Sequence, residues 1–431
     1  MILPASVAEH GVAGRLFNSL FVAVMAGSAL ATPVLADPLA NLKEERLRPG
    51  VYPAAPVPLE FAVPAEPGHP PFDIDWSVGL RGTFTQTNVG ETFVTTLNPQ
   101  FTATHDGRRA DVVVNGSAEI AKPGGGRDAD ITGLNLGFSV TAPLDSLTSF
   151  TANGAIGMTQ ELAGTPGLAG GVVVPPEITT GTLGAGLTRQ FGLFNVGLNA
   201  GAVRTLYGPT LRSDTGLTNN DTQNTWTTNS SLRVGYQITP IFEIYGQGGI
   251  SRTLFDLPGT GTTIYRNATE RTVRGGIAGQ WNEVLSASAA VGVGDYDFDN
   301  AALADIRTEL YEANLTFRPD PTLALSAGLS TTITPPGADS TGTARITHAA
   351  TANIDYTVNS WLRLRASADW SRALTAGSGE TENRWGVSAG ADYRINSHTA
   401  LSADYAFAKR DNSTTGLLDS HRVSLGVTVQ R

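Results

Sequence analysis

Residues 361–372 read WLRLRASADWSR. Arg363, Arg365 and Asp369 share one parity, and Leu362, Leu364, Ala366, Ala368 and Trp370 share the other. In an extended chain this alternation separates an ionic face from an apolar one. The arrangement recurs from end to end of the sequence. Arg81, Arg109, Asp111, Glu119, Arg233, Glu243, Arg274 and Glu312 fall on polar parities of their segments, and so do Arg345, Asp355, Arg384, Asp392, Arg394 and Asp404. Two roles fit guanidinium and carboxylate groups interleaved on one face. They form a hydrated track along which a solute or polymer passes, or they pair and merely satisfy one another. No patch of one sign stands out to favour anions or cations.

Other chemistry lacks its residues. The histidines are His10, His69, His105, His348, His398 and His421, with no spacing for a metal site. Cysteine is absent, which removes thiolate ligands, thiol nucleophiles and disulfides. No Ser, His and Asp are marked as an activated trio, so the reading is of a protein that is not an enzyme. The runs GLAGG and GTGTT lack the GK[ST] and helix of a phosphate loop. No cofactor is implied. A net charge of −10 argues against a nucleic-acid partner.

The elements that must carry the ionic face are strands. From Phe72 onward no convincing amphipathic helix appears, and 18 strand candidates follow one another. They lie near 72–88, 93–105, 108–121, 129–141, 146–160, 178–190, 193–205, 224–237, 241–254, 269–282, 284–296, 305–318, 322–334, 344–358, 360–374, 380–395, 398–410 and 418–430. Their connections alternate short (HDGR, APLDS, FGL, ITP, WNE, RPDPT, VNS, INSH) with mostly long. A transmembrane barrel has this habit, with tight turns on one side and long loops on the other. The apolar faces are thin, mainly Ala, Gly, Val and Leu. That suits lipid better than the close-packed core of a sandwich. The expected fold is all-β: a transmembrane antiparallel up-and-down barrel of about 18 strands, with 16 as the nearest alternative.

In such a barrel the apolar parity meets outer-membrane lipid and the ionic parity lines a lumen. Tyr236, Phe242, Trp281, Phe317, Tyr356, Trp361 and Tyr393 fall within a few residues of a short turn, as a periplasmic aromatic girdle would. An even strand number puts both termini on the periplasmic side. The third outer loop, ELAGTPGLAGGVVVPPE, has acids only at its ends, Glu161 and Glu177. A constriction loop would carry them in its middle, so an outward loop is expected.

The first 36 residues hold Arg15, an apolar run and small residues before Asp37, which is the pattern of a secretory signal peptide; an uncleaved anchor is the alternative. Residues 37–71 are Pro-rich and aperiodic, an extended periplasmic N-terminal arm that could meet a periplasmic export partner. The barrel then occupies 72–431.

The last strands, LSADYAFAKRDNSTTGLLDSHRVSLGVTVQ, resemble the putative β-barrel porin 2 family, as do the arm RLRPGVYPAAPVPL and the first strand DWSVGLRGTF. The resemblance covers most of 47–430. It implies an outer-membrane channel of Gram-negative bacteria, associated with export of an envelope polysaccharide. General diffusion of small solutes and a structural barrel with a closed lumen are the alternatives. One departure is the end Val429-Gln430-Arg431, where such barrels usually finish on an aromatic residue.

Overall fold

The computed structural model describes residues 72–431, apart from residues 126, 127, 164, 166, 167, 169, 170 and 339–341. The signal-peptide and arm segments lie outside the described residues. Strand-forming alternation is realised in β1 (Asp73–Thr87), β2 (Gly90–Asp106), β3 (Asp111–Pro123), β4 (Asp130–Asp145) and β5 (Thr148–Thr159). It continues in β7 (Ile178–Phe191), β8 (Phe194–Tyr207), β11 (Thr225–Gln237), β12 (Phe242–Phe255), β13 (Ala268–Trp281), β14 (Leu285–Phe298) and β15 (Ile306–Asp320). The wall is completed by β16 (Leu323–Thr334), β17 (Ala344–Thr357), β18 (Leu362–Ala376), β19 (Glu380–Asn396), β20 (Thr399–Asn412) and β21 (Gly416–Gln430). Every candidate strand of the sequence has its counterpart. Three short strands, β6 (Val172–Val174), β9 (Thr210–Arg212) and β10 (Gly216–Thr218), form a separate sheet from two of the loops.

Each barrel strand pairs antiparallel with its neighbours in chain order, and β1 pairs with β21, closing an 18-stranded ring. Closure leaves no unpaired edge, which is the condition for a sheet to stand in hydrocarbon. The short connections stay short, as in 192–193 and 397–398. In the turn 282–284, Asn282 takes a left-handed φ of 51°, a conformation asparagine tolerates better than most residues. Long connections occupy the opposite end, notably 160–177, 208–224, 256–267 and 335–343. Extension of β18 to β21 shortens 377–379 and 413–415.

The apolar parity is exposed on the outside: Leu198, Leu232, Ile277, Val291, Leu315, Val387 and Leu425 are examples. A soluble protein would hide such a continuous surface. Near the long-loop end the same outward parity turns ionic. Arg204 pairs with Asp256, Arg252 with Asp299, Arg271 with Asp297 and Arg307 with Asp295. The aromatic residues picked out above sit at the short-turn end. Phe242 meets Trp281 edge-on at 4.9 Å between centroids, Trp361 meets Tyr393 at 5.3 Å, and Tyr236 packs on Phe194 at 5.1 Å. Tyr356 is exposed and Phe317 half-buried in the same zone. The apolar belt is thus bounded by amphipathic rings below and ion pairs above.

Leu425, 65% exposed in the middle of β21, tests the lipid assignment. Leu425→Arg is expected to lower the unfolding free energy in lipid vesicles by about 2–4 kcal/mol, the usual cost of Arg near the midplane. A change near zero would mean that this face meets water.

Candidate functional site

The ionic parity faces inward. Its side chains assemble into ion pairs across the strands. Arg233 of β11 meets Glu243 of β12 at 2.6 Å, and its guanidinium lies over the Tyr245 ring, 3.6 Å from the centroid. Arg274 of β13 reaches Glu312 of β15 at 2.9 Å. Arg363 of β18 holds Asp355 of β17 at 2.5 Å. Arg365 bridges Asp392 of β19 at 3.0 Å and Asp404 of β20 at 2.8 Å, while Arg81 of β1 approaches Asp404 at 3.7 Å. Glu119 accepts a hydrogen bond from Thr132 Oγ1 at 2.7 Å.

The most buried group is at the long-loop end of β17, β19 and β20. Glu382, with a side chain only 5% exposed, accepts from Arg345 at 2.9 Å and Arg384 at 3.1 Å. Asn412 Nδ2 donates to the other Glu382 oxygen at 3.3 Å and to Glu380 at 2.7 Å. Arg384 and Arg410 stand directly opposite each other in the β19–β20 register. Two like charges side by side repel, so the acids around them are required rather than incidental. Asp369 lies over Gly386, where a Cβ would collide with its carboxylate. Glycine here leaves room for a polar side chain to lie along the wall.

Three residues from the ionic set sit at the short-turn rim. Arg109 is exposed in the turn 107–110, Asp111 is exposed as the first residue of β3, and Arg394 is exposed near the end of β19. Glu382 and Arg410 were not singled out from sequence. Both had a signal, since Glu382 shares parity with Arg384, and Arg410 shares parity with Asp404.

The loop 160–177 departs from the expected outward course at its start, around Glu161. Its strand β6 pairs with β9, and Gly171 O accepts from Ser213 N at 2.7 Å. Gln160 Nε2 donates to Pro175 O at 2.9 Å, closing the loop on itself. The Glu161 carboxyl, set just after β5, interacts with the guanidinium groups of Arg384 and Arg410. These lie seven and six places away round the ring, through β4, β3, β2, β1 and β21 to β20 and β19. The start of the loop therefore leans into the barrel, toward the far wall. Burial pushes the Glu161 carboxyl above the usual carboxylate range, and the two arginines only partly offset this. A second tie crosses the mouth: Arg266 donates to Thr222 O at 2.7 Å, Gln223 Oε1 at 3.2 Å and Gly342 O at 3.4 Å. It joins loops that follow β8, β12 and β16.

Among the described residues no group of three or more His, Cys, Asp or Glu side chains is placed to hold a metal ion. The model of the putative β-barrel porin 2 family matches residues 81–431, and the chain belongs to that family. No curated protein sequence matches the chain. Solved structures similar to it share little of its sequence. The outer membrane protein OpdK from Pseudomonas aeruginosa is 12% identical, with a TM-score of 0.43, over 83% of this chain and 99% of that one. A mutant form of the ferric enterobactin receptor PfeA from the same organism is 6% identical, with a TM-score of 0.45, over 83% and 80%. OmpT of Vibrio cholerae lacking loop L8 is 15% identical, with a TM-score of 0.31, over 84% and 100%. At that level of likeness neither cargo nor mechanism transfers.

Removing Glu382 leaves Arg345 and Arg384 without their shared carboxylate. Glu382→Ala is expected to destabilise the barrel by about 3–5 kcal/mol, the usual cost of breaking a buried pair by losing one partner. A urea titration of the folded barrel in vesicles, followed by tryptophan fluorescence, measures it.

Proposed function

We propose that this chain is a passive channel for polar solutes in the outer membrane, with both termini on the periplasmic side. The observation that carries the reading is a closed ring of 18 strands whose inward face is polar and whose outward face is apolar. A barrel of this size is wide enough for an aqueous lumen. Most inward ions lie in cross-strand pairs, so the wall carries no strong field of one sign. The Glu161 carboxyl stands within electrostatic reach of Arg384 and Arg410 on the facing wall. Export of a polysaccharide, implied by the family resemblance, gains no specific support from the described residues. General diffusion of small polar solutes is the reading preferred here.

Purified protein in a planar bilayer is expected to give stable, stepwise conductance. Absence of any channel under conditions where the barrel is folded would sink the reading. The ion preference should also move with pH. The Glu161 carboxyl is raised, so it takes up its proton at a higher pH than an ordinary glutamate. As pH falls, the loop loses its negative charge while the arginines keep theirs, and the anion-to-cation permeability ratio should rise. Reversal potentials in a salt gradient measure this, and Glu161→Gln should hold the low-pH ratio at neutral pH and flatten the dependence.

A further inference from the structure

The inward face has two unlike halves. The ion pairs concentrate on the arc from β12 through β21 to β1. On the arc β2, β3, β4, β5, β7, β8 and β11, Glu119 and Arg233 are the ionisable inward side chains between the rims. Asparagines take their place: Asn98, Asn115, Asn135, Asn153, Asn199 and Asn229. Each faces a glycine in the register, respectively Gly79, Gly137, Gly157, Gly184, Gly186 and Gly201. The amides lie over those glycines. A Cβ at Gly184 would stand 2.7 Å from Asn153 Oδ1, one at Gly186 2.8 Å from Asn199 Oδ1, and one at Gly201 2.7 Å from Asn229 Oδ1. All six side chains are half-exposed.

Their hydrogen-bonding capacity is unused. Most charged side chains of the other arc find protein partners, but none of these six amides makes a side-chain hydrogen bond to the described residues. Two carbonyl oxygens, Asn98 Oδ1 and Asn135 Oδ1, are out of solvent contact and have no partner. An unpaired buried acceptor is costly, and rotation of the amide toward a donor in the lumen relieves it. An amide offers two donors and an acceptor with no net charge. Its complement is a group that both donates and accepts and is itself neutral, which describes a hydroxyl. A charged solute finds no fixed counter-charge on this arc to offset the loss of its hydration.

We infer that the asparagine arc is a low-affinity track for small neutral solutes rich in hydroxyl groups, of sugar or polyol size, a specificity that rests on the channel reading above. Such a solute slides from amide to amide while the paired ions of the opposite arc remain bystanders.

Liposomes carrying the wild-type protein are expected to swell faster in glucose than in gluconate at equal osmolarity with the charge balanced by permeant ions. In planar bilayers, maltotriose should interrupt the wild-type current. The triple variant Asn135→Leu, Asn153→Leu, Asn199→Leu should shorten those interruptions by about two- to ten-fold for each amide that bonds the sugar. Equal swelling in both solutes, or interruptions unchanged in a variant that still conducts, overturns the inference and leaves the channel reading intact. Absence of channels in the wild-type protein overturns both. The swelling comparison needs no variant, so a triple variant that fails to fold does not protect the claim.

Discussion

The backbone of every barrel strand is hydrogen-bonded on both of its edges, and the pairing of β1 with β21 is where that condition is completed. Register contacts from Ser77 with Gln430 to Thr87 with Ser420 join residues more than three hundred positions apart. Without them two strand edges would face hydrocarbon with unsatisfied N–H and C=O groups, each costing several kcal/mol. Closure also fixes the parity of all other strands. Once the ring exists, the period of two sends most of the mid-barrel Leu, Val and Ile outward and most of the Arg, Asp, Glu and Asn there inward. The lumen is therefore a consequence of backbone satisfaction and alternation together.

The inward charges obey a second constraint. A guanidinium half-buried on a protein wall is tolerated when a carboxylate shares its site. The barrel meets this by cross-strand pairing, and in two places by larger groupings, Arg81–Asp404–Arg365–Asp392 and Arg345–Glu382–Arg384. Such compensation removes most of the net field along the wall. Apart from these groupings stand the start of the Glu161 loop, near Arg384 and Arg410, and the amides of the opposite arc. Glycines opposite the long polar residues keep this wall thin, so the side chains lie flat instead of filling the lumen.

The loops show where local patterning ends. Alternation and turn residues placed every strand within a few residues, because they are local properties of an extended chain. β2 begins at Gly90 rather than 93 because Gly90 to Thr92 pair with Thr87 to Thr85, and β18 begins at Leu362 rather than 360, where its pairing with Tyr393 starts. Glu161 is different. Its position just after β5 is visible in the sequence, but the direction in which the chain leaves β5 depends on β6 finding β9. That contact joins segments with no shared periodicity. Arg266 is likewise unremarkable by spacing, yet it ties three loops through backbone carbonyls, which carry no sequence signature.

The sequence by itself determined the class of fold, the number of strands, the side of the barrel on which turns are short, and the parity that separates apolar from polar faces. These follow from the two-residue repeat of a strand and from the cost of charge in lipid. Tertiary structure alone decided which arginine meets which acid, that Glu382 anchors the most buried cluster, that the chain at Glu161 turns toward Arg384 and Arg410, and that the inward ion pairs lie mostly away from the arc of six unpaired asparagines. Those outcomes depend on closure of the ring and on the stagger between strands, which bring together residues far apart in the chain.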